Sequence, residues 1–288
     1  MNEVTENSNE SARADIDPVL RTLLPDWSTE AVKVIAHLPG GYSHPNYRIS
    51  HLGADYVLRI PTSPANEGDL RFEHQWLQSL PVGFGADVIA HDPQTGALLT
   101  RWISAPLLVE KNASTLELVD YLVALHGRMP ALERRYDLLG LIDTWLRASP
   151  QPDVIKHARR TLQGSTENLR PCHNDLNPWN ILCDPAGWRT LDWEWVGLND
   201  PVFDLVTLAV GVGVDLTVVP EMARRYLALM GEQISDADGR VHAATQGFWL
   251  REYAWADHAT HHGNHRVEVL AQRTAALQKI EELSGHQD

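Results

Sequence analysis

Residues 171–182 read "PCHNDLNPWNIL", and this stretch decides how the rest of the chain is interpreted. Asn, Asp and Pro disfavour regular structure, so the stretch is predicted to begin as a loop. The apolar "ILC" at 181–183 favours a short strand directly after it. A loop that leads into a strand is a common place for catalytic groups to be held on a rigid support. Two interpretations are open at this point: a turn that is merely polar, or a loop that carries chemistry.

Strand patterns dominate the chain before residue 104. Apolar and polar residues alternate in three runs joined by turns, which predicts an antiparallel three-stranded meander over residues 32–60. Leucines and Trp76 recur near helical spacing over residues 67–80, which predicts a helix. A "PQTG" turn between two apolar runs predicts a second hairpin over residues 86–103. The first part of the chain is therefore interpreted as a small α+β unit built on an antiparallel sheet.

Long helical patterns follow the "SAP" segment. Ser114 is the predicted capping residue of the first of them. The 171–182 loop interrupts the helices, and a hairpin with "DPAG" as its turn comes next, over residues 180–196. The predicted fold class is α+β, with a strand-rich N-terminal lobe and a mainly helical C-terminal lobe. The expected parts are a disordered segment over 1–14, an N-lobe over 15–103 and a C-lobe over 104–288.

Composition limits the partners of the chain. The net charge of −14 disfavours nucleic acid as a partner and is compatible with a cationic substrate. No apolar run has the roughly 18 residues that a membrane span needs, and the acidic, polar start lacks the features of a signal peptide. Cys172 and Cys183 give no disulfide framework, so buried thiols in a reducing cytoplasm are expected. Core packing is the first explanation for the ten tryptophans.

His173, Asp175 and Asn180 have the H-x-D-x4-N spacing that kinases use for phosphoryl transfer. A carboxylate in such a loop orients an attacking hydroxyl and accepts its proton over about 3 Å. An amide oxygen further along can hold a metal ion that bridges the phosphates of a nucleotide. Asp175 is therefore the predicted base and Asn180 the predicted first Mg²⁺ ligand. A polar loop that matches this spacing by chance is the alternative.

Asp192 lies on the far arm of the predicted hairpin, which brings it back alongside Asn180. A buried strand aspartate without a partner is costly, so a bound Mg²⁺ is a sensible reason for it; a solvent-facing aspartate is the alternative. Asp204 opens a helical pattern and is either a helix cap or a support that holds the backbone of the catalytic loop. His173 and Asp204 are both assigned to structural support of that loop.

The strand-rich lobe is predicted to bind the nucleotide. The turn in "LPGGYSHPNYRI" suits the approach of backbone N–H groups to phosphate oxygens, through Gly40, Gly41 and Ser43. It lacks the G-x4-G-K-[ST] pattern, which excludes the P-loop NTPases. Arg59 on the third strand stands where a kinase has its phosphate-binding lysine, and Glu73 on the following helix is its predicted partner.

The stretches "CHNDLNPWNIL" and "LDWEWVGLNDPVFDL" together resemble the aminoglycoside phosphotransferase/choline kinase superfamily, a branch of the protein-kinase-like fold. The resemblance extends from "GGYSHPNYRI" to the last helices. It implies a two-lobe kinase-like fold, ATP and Mg²⁺ as cofactors, and the roles given above to Asp175, Asn180, Asp192 and Arg59. It also implies backbone contacts to adenine from three connector residues: Arg101, Trp102 and Ile103.

The arginine in "YVLRI" and the motif "LDWEWVG" are similar to those of the bacterial thiamine kinase and choline kinase branch. This implies a small, cationic alcohol as the acceptor, with thiamine as the first candidate and choline or ethanolamine as the second. Aromatic faces bind such cations, each with about 0.5–2 kcal/mol when water is excluded. Trp195 matches the family position that faces the acceptor, and the late aromatic helix adds Trp249, Glu252 and Trp255. Core packing is the alternative explanation for these tryptophans.

Two other functions stay open. An aminoglycoside phosphotransferase would also suit an acidic acceptor pocket, and a nucleotide-binding regulatory module without catalysis would keep the fold alone. Asp192 is followed by Trp-Glu rather than Phe-Gly, and the segment after it is short, so a protein substrate is not expected. The sequence gives no indication of oligomeric state.

Overall fold

The computed structural model describes residues 2–38, 44–61, 70–162 and 168–284, with side chains from residue 12 onward. Over these residues the strands are β1 Val32–Leu38, β2 Asn46–His51, β3 Ala54–Arg59, β4 Val88–His91, β5 Leu98–Arg101, β6 Arg170–Cys172, β7 Ile181–Leu182, β8 Arg189–Thr190 and β9 Gly197–Asn199. The helices are α1 Asn2–Leu23, α2 Leu70–Ser79, α3 Thr115–His126, α4 Leu138–Trp145, α5 Asp153–Thr161, α6 Val202–Gly211, α7 Val219–Leu229, α8 Ala237–His261 and α9 Val267–Ser284. The α+β class is confirmed, with strands early and long helices late.

The chain divides into two compact units, and the division is not a single cut. Unit 1 comprises Met1–Asn112 and Trp179–Trp195, and unit 2 comprises Ala113–Pro178 and Val196–Asp288. The first boundary therefore falls after Asn112 rather than after residue 103, and a later segment returns to unit 1.

Unit 1 is built on a five-stranded antiparallel sheet in the order β1-β2-β3-β5-β4. Strand β2 buries alternate residues, among them Tyr47 and Ile49, as a half-buried strand should. Leu52 and Gly53 both have positive φ, which suits a tight two-residue hairpin turn. The predicted meander is confirmed, and the second predicted hairpin extends the same sheet because β5 pairs with β3.

Helix α1 packs its apolar stripe into unit 1. Ile16 and Leu20 are fully buried in a cluster that includes Leu58 of β3. The helix begins at Asn2, so it includes most of the segment 1–14 that was predicted to be disordered. The polar composition predicted disorder, but these residues continue a helix whose later turns are fixed by apolar burial.

The hairpin of β7 and β8 belongs to unit 1 because its backbone and side chains bond there. Its turn is closed by Gly187 N–H donating to Asp184 O at 2.9 Å, as the "DPAG" pattern predicts. Thr190 N–H donates to Phe84 O at 2.9 Å. The ring of Trp193, which is buried, stacks on Phe84 with centroids 5.6 Å apart. These long-range contacts fix the later segment to the sheet-containing unit.

Unit 2 is a helical assembly around α8, which packs against α4, α6, α7 and α9. Ser114 caps α3 in a capping box: Glu117 N–H donates to Ser114 Oγ at 3.3 Å, and Ser114 N–H donates to Glu117 Oε2 at 2.8 Å. The short antiparallel pair β6–β9 holds the start of the 171–182 stretch. None of the described helices combines the length and apolar character that crossing a bilayer requires.

Candidate active site

A buried ion pair stands at the centre of unit 1. Arg59 of β3 donates from Nη1 to Glu73 Oε1 at 2.9 Å and from Nη2 to Glu73 Oε2 at 2.7 Å. Nε and Nη2 of the same guanidinium also donate to Gly96 O, at 3.2 and 3.1 Å. Burial alone would lower the pKa of Arg59, but the Glu73 carboxylate beside it raises that pKa above its usual value. The pairing fixes a permanent positive charge in one orientation.

This arginine faces a cavity of about 860 Å³ within unit 1, here called the unit 1 cavity. Its lining includes Arg59 from the sheet, the connector after β5, and the hairpin of β7 and β8 with the residues before it. Six residues predicted to bind ATP or metal lie around it: Arg59, Arg101, Trp102, Ile103, Asn180 and Asp192. The volume is in the range of small-molecule and nucleotide sites.

The hairpin places the two predicted metal ligands next to each other. Leu191 N–H donates to Asn180 O at 2.8 Å, so Asp192 follows directly after a residue paired with Asn180. Asp192 lies just beyond β8 with φ 61°, a left-handed conformation that Asp tolerates better than most residues. Its side chain is 40% exposed, and Oδ1 lies 3.6 Å from Arg59 Nη1. One carboxylate and one amide oxygen on the same wall fit the oxygen ligands that Mg²⁺ prefers.

The connector after β5 is fixed by the sheet. Arg101 N–H donates to Asp87 O at 2.9 Å, and Trp102 N–H donates to Asp55 O at 3.0 Å. The guanidinium of Arg48 lies over the Trp102 ring at 4.4 Å from its centroid. Both amides are therefore used within unit 1, so a base in the cavity would have to bond other backbone groups of the connector.

The glycine-bearing turn between β1 and β2 lies outside the described residues. Gly40, Gly41 and Ser43, predicted to contact phosphate, all fall in that part of the chain.

In unit 2 a buried carboxylate holds the loop that carries Asp175. Asp204, in the first turn of α6, accepts from His173 N–H and from Asn174 N–H, each at 2.7 Å. His126 Nε2 lies 3.0 Å from Asp204 Oδ2, and His126 Nδ1 lies 2.7 Å from the Tyr226 hydroxyl. All of these groups are buried. Asp204 is thus placed on the backbone of the loop, and the helix cap is Pro201 instead.

Asn174 sets the shape of the same loop, and sequence reasoning gave it no role. Its φ of 65° is left-handed, which Asn adopts more readily than other residues with a Cβ. Its Nδ2 donates to Cys172 O at 3.1 Å and to Gly197 O at 3.2 Å, while its Oδ1 accepts from Asn199 Nδ2 at 2.8 Å. The side chain therefore ties the loop to both strands of the β6–β9 pair.

The buried Cys172, His126 and Asp204 do not have the character of a metal site, although their ligand atoms lie within 4.8 Å of one another. The imidazole and carboxylate are engaged in the hydrogen bonds described above. Burial raises the pKa of the Cys172 thiol well above its usual value, so it stays protonated. The two cysteines are buried and neither forms a disulfide, as predicted.

Arg251 of α8 contacts the predicted catalytic residue directly. Its Nη2 donates to Asp175 Oδ1 at 2.6 Å, and its Nη1 donates to Asn174 O at 2.7 Å. The only sequence signal for it was the pair of charged residues, Arg251 and Glu252, in the otherwise apolar run "GFWLREYAW" of a helix that had to be buried. Its partner lies more than seventy positions earlier in the chain, so no local pattern pointed to the pair.

The four predicted acceptor residues fall in different units. Trp195 is buried in unit 1, whereas Trp249, Glu252 and Trp255 are half-buried on α8 in unit 2. Glu252 is the one whose electrostatic environment includes Asp175. Burial raises the pKa of Glu252, Arg251 opposes that shift, and Asp175 adds to it. Gln272 Nε2 donates to Glu252 Oε2 at 2.5 Å.

Tyr136 is a further unit 2 side chain in the surroundings of Asp175, Arg251 and Glu252. Its hydroxyl is buried and has no hydrogen-bond partner among the described residues. Burial raises the pKa of Tyr136 to about 12, while Arg251 lowers it and Asp175 and Glu252 raise it. The phenol is therefore neutral near pH 7, and it lies within the electrostatic reach of the Asp175–Arg251 pair.

Residues 34–240 match the model of the phosphotransferase enzyme family (APH), which is well over half of the chain. The chain belongs to this family. Protein LicA of Haemophilus influenzae is 25% identical over 189 residues, 59% of this chain and 56% of LicA. The thiamine kinase of Shigella boydii is 25% identical over 180 residues, 58% of this chain and 63% of that enzyme. The alignments thus span less than two thirds of either relative.

Solved structures of similar proteins confirm the two-lobe kinase-like fold of this phosphotransferase family member. A choline/ethanolamine kinase family protein from Mesorhizobium loti matches with a TM-score of 0.70 at 24% identity, over 95% of this chain and 94% of that one. LicA in complex with AMP matches with a TM-score of 0.68 at 15% identity, over 96% and 99% of the two chains. At these identities the likeness shows the fold.

Proposed function

We propose that this phosphotransferase family member transfers the γ-phosphoryl group of ATP to the hydroxyl of a small, cationic alcohol. Thiamine is the first candidate acceptor, and choline or ethanolamine is the second. A thiamine kinase 25% identical to the chain and the solved choline kinase LicA of Streptococcus pneumoniae support these two candidates without ranking them.

One observation carries the proposal. Arg59, Asn180 and Asp192 line the same cavity, and Arg59 is locked by a bidentate pair with Glu73. A fixed cation beside two oxygen ligands is the arrangement that a nucleotide triphosphate with its metal requires. Similar structures hold AMP in one relative and ADP in another, which supports a nucleotide in this cavity.

On the nucleotide side, Arg59 would bind phosphate oxygens, and Asn180 and Asp192 would hold Mg²⁺. When bound, Mg²⁺ supplies positive charge that offsets the charge on the β- and γ-phosphate oxygens. Backbone groups of the connector Arg101–Ile103 would orient the adenine, apart from the two amides that already bond within unit 1.

On the acceptor side, Asp175 would orient the hydroxyl and accept its proton while the new oxygen–phosphorus bond forms and ADP leaves. Asp175 and Asn180 are five positions apart in the chain, which is the spacing of the kinase motif. Asp204, His173 and Asn174 would keep the loop in its reactive shape, because positioning supplies much of the rate in phosphoryl transfer.

The experiment is a Mg²⁺-ATP turnover assay on thiamine, choline, ethanolamine and kanamycin, with the product identified by ³¹P NMR. We expect phosphorylation of one of the first three. Asp175→Asn should reduce kcat by at least about 1,000-fold, and its matched control is Asp215→Asn, an exposed loop carboxylate of the same unit. Full turnover by Asp175→Asn would contradict the role of Asp175.

The same assay separates the remaining functions. Preferential phosphorylation of kanamycin would make the chain an aminoglycoside phosphotransferase. Nucleotide binding without turnover of any alcohol would make it a non-catalytic regulatory module, although Asp175, Asn180 and Asp192 are all present.

A further inference from the structure

Two histidines at the unit 1 cavity form a chain of polar contacts that the proposed phosphoryl transfer does not use. His74 of α2 and His91 of β4 both line the cavity, and their rings stack with centroids 5.2 Å apart. Their Nδ1 atoms lie 3.1 Å apart, and the amide Nε2 of Gln78 lies 2.9 Å from His74 Nε2. These three residues, here called the imidazole chain, lead from the exposed Gln78 to His91, whose side chain is 1% exposed.

The inner end of the imidazole chain meets the ion pair that fixes Arg59. His91 Nε2 lies 3.8 Å from Glu73 Oε2, the same oxygen that accepts from Arg59 Nη2 at 2.7 Å. This Nε2 is buried and has no hydrogen-bond partner among the described residues. A separation of 3.8 Å is too long for a hydrogen bond, so the contact is electrostatic and its sign depends on whether Nε2 carries a hydrogen.

The neighbours of the two rings select one direction for the hydrogens. Only one hydrogen can lie between the two Nδ1 atoms, so one ring donates and the other accepts. The Gln78 amide donates to His74 Nε2, which leaves the hydrogen of a neutral His74 on Nδ1, facing His91 Nδ1. His91 then carries its own hydrogen on Nε2, next to a Glu73 carboxylate that can only accept. The opposite direction would set a nitrogen lone pair against that carboxylate in a buried site, which is unfavourable.

The imidazole chain also keeps His91 from becoming a second cation beside Glu73. A proton on His91 Nδ1 would meet the Nδ1–H of His74, so it would cost the chain its central hydrogen bond. The pKa of His91 is lowered to about 4, mainly by burial; Glu73 and Asp92 oppose the shift, and Arg59 and His74 contribute to it. His91 is therefore neutral near pH 7, and Glu73 keeps its two hydrogen bonds from Arg59.

We propose that the imidazole chain is a positioning device for the Arg59–Glu73 pair, in which His74 fixes His91 as the neutral Nε2–H tautomer. In that form His91 attracts the Glu73 carboxylate without competing as a cation for it. This inference rests on the proposed binding of nucleotide phosphates by Arg59, and it adds the residues that keep this arginine oriented. Because His74 acts through His91 and Glu73, its loss should weaken MgATP binding more than it slows the transfer step.

The direct test is ¹⁵N NMR of the full-length protein, which distinguishes the Nδ1–H, Nε2–H and doubly protonated forms of an imidazole. Near pH 7 we expect the Nε2–H form for His91 and the Nδ1–H form for His74. His74→Phe keeps an aromatic ring but removes the donor, so the protonation midpoint of His91 should rise by at least about one pH unit. His74→Asn, whose amide can replace that donor, should raise the midpoint less. The Nδ1–H form at His91 in the wild-type protein would overturn the inference.

The kinetic test measures kcat and the KM for MgATP in the same variants. In His74→Phe we expect KM to rise at least about fivefold while kcat falls by less than about threefold, and His74→Asn should recover most of the loss in KM. The control is His157→Phe, at an exposed histidine of α5 in unit 2, which should keep both values near wild type. Should His74→Phe fail to fold, His74→Leu removes the same donor with a smaller side chain and is held to the same outcomes. An unchanged KM in the folded variant would overturn the positioning role.

The NMR measurement keeps this inference distinct from the proposed function. If no alcohol is phosphorylated, the phosphoryl-transfer proposal fails, but the tautomer and titration of His91 still test the imidazole chain, and the Kd for MgATP from calorimetry takes the place of KM. If an alcohol is phosphorylated and His74→Phe has the same KM as His157→Phe, only the role of the imidazole chain fails.

Discussion

In unit 1 the Asp192 side chain is 40% exposed at the wall of a cavity of about 860 Å³. In unit 2 the Asp204 carboxylate is fully buried, and its two oxygens accept from two backbone N–H groups and meet a histidine. Both carboxylates are assigned to the same proposed reaction. They differ in exposure, since one carboxylate lies at a cavity wall and the other is enclosed by its hydrogen-bond partners.

The difference indicates what each carboxylate does. The loop around Asp175 is held by the Asp204 carboxylate, the Asn174 side chain and the Arg251 contact, so Asp204 serves the structure of that loop. The Asp192 carboxylate lies 3.6 Å from Arg59 Nη1 at the wall of the unit 1 cavity, where it is accessible to a ligand. Substitutions at the two carboxylates should therefore have different effects. A substitution at Asp192 should lower activity with little loss of stability, whereas a substitution at Asp204 should lower both.

The sharpest test of that separation is Asp192→Asn. The amide keeps the shape and tolerates the left-handed backbone, but removes the charge that a metal requires, so kcat should fall at least about 1,000-fold. Because the side chain is exposed, the free energy of unfolding should change by less than about 0.5 kcal/mol. Steady-state kinetics and urea unfolding measure both quantities. Asp184→Asn in the same hairpin is the control, and a kcat near wild type in Asp192→Asn would refute the assignment.

Asp204→Asn tests the buried carboxylate of unit 2. One accepting oxygen becomes an NH₂ group that faces backbone N–H donors or His126, so buried donors are left without acceptors. We expect a loss of about 3 kcal/mol in the free energy of unfolding, together with a lower kcat. Urea unfolding of this variant should be compared with Asp215→Asn. A loss below about 1 kcal/mol would show that the buried network does not hold the loop.

Glu73→Gln tests the ion pair of unit 1, since the buried Glu73 orients Arg59, which lines the cavity. Removing its charge takes away the carboxylate that accepts two hydrogen bonds from the buried Arg59 guanidinium, which should cost about 2 kcal/mol of stability. Arg59 should also lose its fixed orientation, so the KM for MgATP should rise. Thermal unfolding and nucleotide titration measure the two effects. Stability and KM both equal to wild type would show that the Arg59–Glu73 pair contributes neither to folding nor to nucleotide binding.

The smallest expected effect is a pH dependence that comes from His91, next to the same pair. The pKa of His91 is lowered from its usual value near 6.5 to about 4, mainly by burial; Glu73 opposes this shift and Arg59 contributes to it. Between these values the unfolded chain binds a proton that the folded chain does not, so stability should fall as the pH drops from about 6.5 to about 4. His91→Asn should show a shallower fall in urea unfolding over that window. An identical dependence of stability on pH in His91→Asn and wild type would show that other groups cause it.

The sequence predicted those features that depend on local pattern. Alternation placed the meander, helical spacing placed α2 and the later helices, and the Ser114 capping box lies where it was expected. The "DPAG" turn correctly returned Asp192 to the side of Asn180. In each case the signal lies within about 15 consecutive residues, which is the range over which pattern and turn chemistry act.

What the sequence did not reveal depends on contacts between distant positions. The Arg251–Asp175 pair and the His126–Asp204 pair each join residues far apart in the chain, and neither partner has a distinctive local pattern. The return of the hairpin to unit 1 depends on Trp193 stacking on Phe84, a contact that composition cannot predict. The start of α1 was missed because its polar residues resemble disorder when they are considered without the apolar turns that follow.

The interleaving of the two units along the chain has a practical consequence for dissecting the protein. A gene fragment that stops at Asn112 would encode the sheet but omit Asn180 and Asp192, and it would strip Phe84 of its indole neighbour. The complementary fragment would carry a hairpin whose backbone partner at Phe84 is missing. Neither piece should be expected to refold or bind nucleotide alone, whereas a covalent fusion of residues 1–112 to 179–195 through a flexible linker would restore every segment that lines the cavity.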